Sequence, residues 1–111
     1  MQIIEWQDFE RVELRVGTLI SAEPNEKATK PAYVLQVDLG ELGIRTSSAQ
    51  VTAHYLADEL VGRQVLCVCN FAPKRIAGVR SEVLVTGVYD SDGKVVLAGF
   101  DKPLPNGARL A

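Results

Sequence analysis

One histidine, one tryptophan and two cysteines are all that this chain holds of those residues, and each scarcity removes a class of protein. Structural zinc sites normally take four N or S ligands. His54, Cys67 and Cys69 supply three at most, so no metal site is expected. The cysteines lie two apart in "VLCVCNF", a strand-like run that points both thiols to one face and disfavours a disulfide between them. Two small, buried, reduced thiols are expected, which fits a cytoplasmic address. Aromatics make up 6% of the chain and form no cluster of the kind on which RNA-recognition motifs stack bases. No G-x-S-x-G elbow, phosphate loop or metal motif occurs, and the spacing of His54 from Ser47, Ser48 or Ser81 signals no catalysis. No enzyme activity and no cofactor are expected. No run approaches the roughly 20 apolar residues of a membrane span. The start, "MQIIEWQDFE", lacks the basic and long apolar regions of a signal peptide, so the expected location is the cytoplasm, without membrane insertion.

What is present is an ordinary folding composition, 47% hydrophobic and 23% charged, in 111 residues, which predicts a single domain over 1–111. Asp8 is expected to cap a short helix containing Phe9, with Trp6 as its anchor. "VELRVGTLISA" alternates, placing Val12, Leu14, Val16, Thr18 and Ile20 on one face and Glu13, Arg15, Gly17 and Leu19 on the other. Gly17 marks a bend in this long first strand. "EPNEKATKP" reads as a polar loop. "AYVLQVDLG" sends Tyr33, Leu35, Val37 and Leu39 inward and turns into a third strand, "IRTSSA". "QVTAHYLADELVG" offers a helical turn or two. "RQVLCVCNF" is apolar on both faces and predicts a strand covered on both sides. "SEVLVTGVY", the turn "DSDG" and "KVVLAGF" make a final hairpin, and the tail "DKPLPNGARL" either dangles or docks. Five or six short strands with a helical insert after the third predict an all-β, five-stranded OB-fold barrel with a short N-terminal helix.

Net charge is −2, yet the charge is uneven. Between Glu59 and Glu82 there is no acid, while that interval holds Arg63, Lys74, Arg75 and Arg80. Lys74, Arg75 and Arg80 surround Pro73 and Gly78 in "NFAPKRIAGVRSEVLVTG". The pattern suits a solvated hairpin or an anion-binding surface, and the missing acids favour the second. Arg80 and Glu82 share one face there, Ser81 and Val83 the other. A second polar stretch, "RTSSAQ", adds Arg45, Ser47, Ser48 and Gln50, in the position where OB barrels bind single strands. The basic rim adjoins Phe71, Pro73, Ile76 and Val79, apolar groups suited to an extended peptide. The apolar terminal segments "IIEW" and "PLPNGARLA" predict a homodimer.

"DFERVELRVGTL", "SSAQVT", "VCNFAPKRIAGVRSEVLVTG" and "PLPNGARL", in this order from Asp8 to Leu110, resemble the CsaA-type export chaperones. These are a branch of the free-standing tRNA-binding OB domains related to the C-terminal extension of some methionyl-tRNA synthetases. The resemblance implies an OB barrel whose terminal segments build a two-fold dimer, with neither enzyme activity nor metal. It also implies ligands of two kinds, tRNA and unfolded export precursors, the alternative being a tRNA-binding protein without a chaperone role. By the same resemblance Asn70, Lys74, Arg75, Gly78, Arg80 and Ser81 fall at the ligand surface. "SEVLV", where many tRNA-binding relatives carry a Met-rich strand, and the low lysine count favour the chaperone branch.

Overall fold

The computed structural model describes residues 1–110. In chain order its elements are α1 (Trp6–Glu10), β1 (Leu14–Pro24), β2 (Tyr33–Asp38), β3 (Ile44–Ala49), α2 (Ala57–Leu60), β4 (Gln64–Val68), β5 (Lys74–Ile76), β6 (Val79–Ser81), β7 (Leu84–Val85), β8 (Gly87–Tyr89) and β9 (Val95–Leu97). Five of them form one antiparallel sheet, ordered β3-β2-β1-β4-β7, and β5–β6 and β8–β9 are separate hairpins. The sheet curls until β3 meets the chain leading into β7, where the Glu82 N–H donates to the Thr46 carbonyl at 2.8 Å. Side chains complete this seam: Thr46 N–H donates to Glu82 Oε1, and Ser48 N–H to Ser81 Oγ, each at 3.1 Å. The result is a nearly closed five-stranded barrel, the OB-like architecture expected.

The alternation in β2 reads directly into the core, since Tyr33, Leu35, Val37 and Leu39 are all buried. They meet Leu19, Leu60, Val65, Cys67, Val83 and Val85. Burial of this kind stabilises by about 25 cal/mol per Å² of apolar surface. Burial also pushes the Cys67 thiol up to about 12 and raises that of half-buried Cys69. Both cysteines are free.

The first strand keeps its expected faces as far as Ile20, with Gly17 and Leu19 buried and Ile20 exposed; the β1–β2 register shifts between Leu19 and Ser21, so the alternation reverses beyond Ile20. The irregularity lies beyond Gly17, whose role is close packing: an added Cβ would overlap Val37 and come within 2.9 Å of Leu39. Val16 is buried too, beside the C-terminal tail. Val16 N–H donates to the Ala108 carbonyl at 2.9 Å, Gly107 N–H to Val16 at 2.7 Å and Leu110 N–H to Leu14 at 2.9 Å. The tail therefore docks, pairing with the part of β1 that β2 leaves open.

Helix α1 also differs in detail. Asp8 sits inside its first turn and accepts the Glu5 N–H at 3.0 Å, instead of preceding the helix. Trp6 is 64% exposed and stacks at a tilt on Phe9, so it anchors nothing in the core.

Candidate functional site

Strands β5 and β6 form a three-rung hairpin over β3, turning through Ala77 and Gly78. Both turn residues have positive φ, 46° and 82°, the pattern of a type I′ turn whose twist matches the flanking strands. Alternation along so short a hairpin sorts the predicted residues onto two faces. Lys74, Ile76, Val79 and Ser81 turn toward β3, as the Ser81 bond to Ser48 fixes. Arg75 and Arg80 stand directly opposite each other on the outer face. The three cations are thus split, Lys74 from the arginine pair.

Two like charges facing across a hairpin destabilise it. Arg80 is relieved by Glu82, whose Oε2 lies 3.6 Å from its Nη1. Arg75 donates to the Gly78 carbonyl at 3.1 Å, and neither it nor Lys74 forms an ion pair among the described residues. Positive potential at this tip is therefore only partly offset, and the arrangement can hold an anion. Arg45 is half-exposed on β3, donates to the Leu42 carbonyl at 3.0 Å and reaches Glu82 at 4.0 Å. Glu82 emerges as the acid that ties seam and cations together. The pairing of Thr46 with Glu82 crosses 36 residues, so no local pattern announced it.

On the inner side, a groove of about 370 Å³ runs between the hairpin and β7. Phe71, Ile76 and Leu84 line it with Lys74 at one edge. Phe71 is 59% exposed and Leu84 48%, so apolar surface is accessible here beside a cation. Leu84 was absent from the sequence-based set, although its alternation with buried Val83 and Val85 in "VLV" marks it as outward-facing. Pro73 and Val79 do not line the groove.

Other predicted residues are placed differently. Ser47 is buried on the inner face of β3, at 1% exposure, beneath the groove that it lines with Ser48. Ser48 stays partly exposed beside the hairpin, and Gln50 is exposed at the end of β3. Asn70 acts as a latch: its Oδ1 accepts Glu13 N–H at 2.9 Å and its Nδ2 donates to the Arg11 carbonyl at 2.7 Å. That ties the α1–β1 connection to the end of β4. His54 bonds Asp90 at 2.6 Å, and no serine hydroxyl among the described residues bonds to it. No group of three or more His, Cys, Asp or Glu suited to a metal occurs among the described residues. No described helix is long and apolar enough to cross a membrane.

Residues 14–109 match the family model of the tRNA binding domain. Methionine–tRNA ligase of Flavobacterium johnsoniae is 33% identical over 108 residues, 97% of this chain and 15% of the ligase. The ligase of Chlorobium chlorochromatii is 39% identical over 94 residues, 85% of this chain and 13% of that enzyme. The chain thus spans about one seventh of these ligases. Among solved structures, the chaperone CsaA of Bacillus anthracis superposes with a TM-score of 0.93 at 44% identity, covering 99% of this chain and 100% of that one. The CsaA chaperone protein of Picrophilus torridus gives 0.90 at 39% identity, covering 98% and 100%. A MetRS-related protein of Pyrococcus horikoshii gives 0.88 at 31%, covering all of both chains.

Proposed function

Since this chain belongs to the tRNA binding domain family as a CsaA-type member, we propose that it is a non-catalytic chaperone that binds unfolded export precursors in the groove beneath the β5–β6 hairpin. RNA phosphates bind on the hairpin's outer face, and both activities belong to the cytoplasm. The observation that carries the reading is the pairing of an accessible apolar groove, Phe71, Ile76 and Leu84, with an arginine pair on the opposite side of the same hairpin. An extended peptide gains from apolar burial at about 25 cal/mol per Å². RNA offers little apolar surface and gains from counterion release.

Salt separates the two. Raising it from about 50 to 200 mM weakens tRNA binding steeply and leaves an uncharged apolar peptide nearly unaffected. Phe71→Ala weakens the peptide more than the tRNA, with circular dichroism confirming the fold. Neutral peptides that fail to bind at high micromolar protein, beside tight tRNA binding, would leave a tRNA-binding module without a chaperone role.

The reading includes a homodimer. Ile3, Trp6, Val88, Tyr89 and Val96 are all exposed, apolar side chains that a two-fold contact would cover. Sedimentation of the intact chain at micromolar concentration tests it, a well-folded monomer being the contrary result. Truncation at Pro103 is a poorer test, because it strips the tail from the open edge of β1 and disturbs the barrel itself.

A further inference from the structure

The barrel closes at one point and stays open beside it. Thr46 meets Glu82 in the seam, and His54 meets Asp90 farther along. Both pairs are 36 residues apart, so the chain from β3 onward and the chain through β7 and β8 run in the same direction between them. Among the described residues no strand pairing joins β3 to β7 or β8. A slot of about 470 Å³ lies there instead, with the end of β3 as one wall and Val85, Gly87 and Tyr89 along the other.

Which backbone groups face the slot follows from the partners on the far side of β7 and β8. Thr86 N–H donates to the Leu66 carbonyl at 3.0 Å, the Thr86 carbonyl accepts Ala98 N–H at 3.0 Å, and Asp90 N–H donates to Lys94 at 2.8 Å. Val85 stands opposite Cys67, Gly87 opposite Leu97 and Tyr89 opposite Val95, in the alternate phase of the same ladders. Their N–H and C=O groups therefore turn the other way, toward the slot. None of these groups has a partner among the described residues. On the facing wall Ser48 N–H donates to Ser81 Oγ, and the Ser48 carbonyl, directed away from β2, is free. A row of unpaired groups on a strand edge is a template for another strand.

We propose that this edge binds about five residues of extended polypeptide as an added strand, through main-chain hydrogen bonds to Val85, Gly87 and Tyr89, with alternate guest side chains seated toward Val51 and Val95. This rests on the peptide-binding reading and deepens it. The slot adjoins the groove beneath the β5–β6 hairpin, since Ser47, Ser48 and Leu84 line both, so one extended chain can occupy the two together. Main-chain groups are the same in every polypeptide, so recognition here needs no particular sequence, as a binder of unfolded precursors requires. A folded protein has already paired its backbone and offers this edge nothing.

The test uses the full chain, one neutral apolar peptide and its depsipeptide forms, in which esters replace the amides of alternate residues and so delete their N–H donors. One alternate set of esters lowers affinity about tenfold or more and the other leaves it within about twofold, because a guest strand turns only every second residue to the edge. Hydrogen exchange read by NMR shows the Val85, Gly87 and Tyr89 amides slowed by the peptide, with the already paired Val88 amide unchanged. Tyr89→Pro removes one free donor and spares the bonds to β9, so it weakens the peptide about fivefold relative to Tyr89→Ala, which keeps the N–H. Binding that is lost with Phe71→Ala yet indifferent to both ester sets overturns the added strand and leaves the groove reading intact. Wild-type protein that binds no neutral peptide removes both. Equal losses from the two ester sets overturn the one-edge pairing. Protection of the three amides that rises with protein concentration alone assigns the edge to a second copy, which also overturns it.

Discussion

Glu82 offers the sharpest perturbation, because its two oxygens have different jobs. Oε1 accepts the Thr46 N–H at 3.1 Å and helps close the barrel, whereas Oε2 lies 3.6 Å from Arg80 and 4.0 Å from Arg45. Glu82→Gln retains an amide oxygen for Thr46 and deletes the negative charge. Ion pairs this exposed contribute about 0.2–1 kcal/mol, so the stability loss is small. For RNA the same change is favourable. A phosphate held by Arg80 at roughly 8 Å from the carboxylate, in an effective dielectric near 40, is repelled by about 1 kcal/mol at low salt. Removing that repulsion tightens tRNA binding about fivefold, and the gain shrinks as salt screens it. Glu82→Ala is the contrast: it leaves the Thr46 N–H without its side-chain acceptor, at a cost of about 1–3 kcal/mol. Fluorescence anisotropy of labelled tRNA and urea unfolding read the two effects separately. Equal or weaker tRNA binding by the Gln variant, with its fold intact, would refute the claim that Glu82 tempers the cationic face.

Three further outcomes follow from the packing and the charges. Gly17→Ala forces a methyl into Val37 and Leu39 and costs about 1–3 kcal/mol in urea unfolding. Ala77→Asn relieves a left-handed alanine at φ 46° and raises stability by up to about 1 kcal/mol, read as a rise of a few degrees in Tm. The Asp90 carboxyl is held below its ordinary 3.8 by the Lys94 N–H and by His54. A lowered native value contributes stability above 3.8 that is lost as pH falls through the native value, so Asp90→Asn flattens the acid limb of a urea-midpoint profile.

Where the chain's pattern is local, it was legible. The period of two in β2 needs no partner to be read, and its three inward residues, with Leu39 just beyond, are all buried. The basic interval was visible because missing acids are a property of sequence alone. The faces of β1 were not legible beyond Ile20, since the reversal there arises from its register against β2. A two-residue turn decides that Lys74 parts from Arg75 and Arg80, and composition does not locate that turn. Ser47 and Asn70 belong to polar stretches that look like surface. The fold uses one inside the barrel and the other as a latch between distant segments. The docking of the tail on β1 is likewise a contact between remote parts of the chain.

The central claim is that one hairpin separates two kinds of ligand, RNA on its arginine face and apolar peptide in the groove behind it. Paired anisotropy titrations of one tRNA and one neutral apolar peptide, against Arg75→Ala with Arg80→Ala and against Leu84→Ser, test it most directly. The account predicts that the arginine variant lowers the tRNA salt slope by about 1.4 to 1.8 and leaves the peptide within twofold, while Leu84→Ser weakens the peptide and spares the tRNA. Equal losses for both ligands in both variants would contradict it.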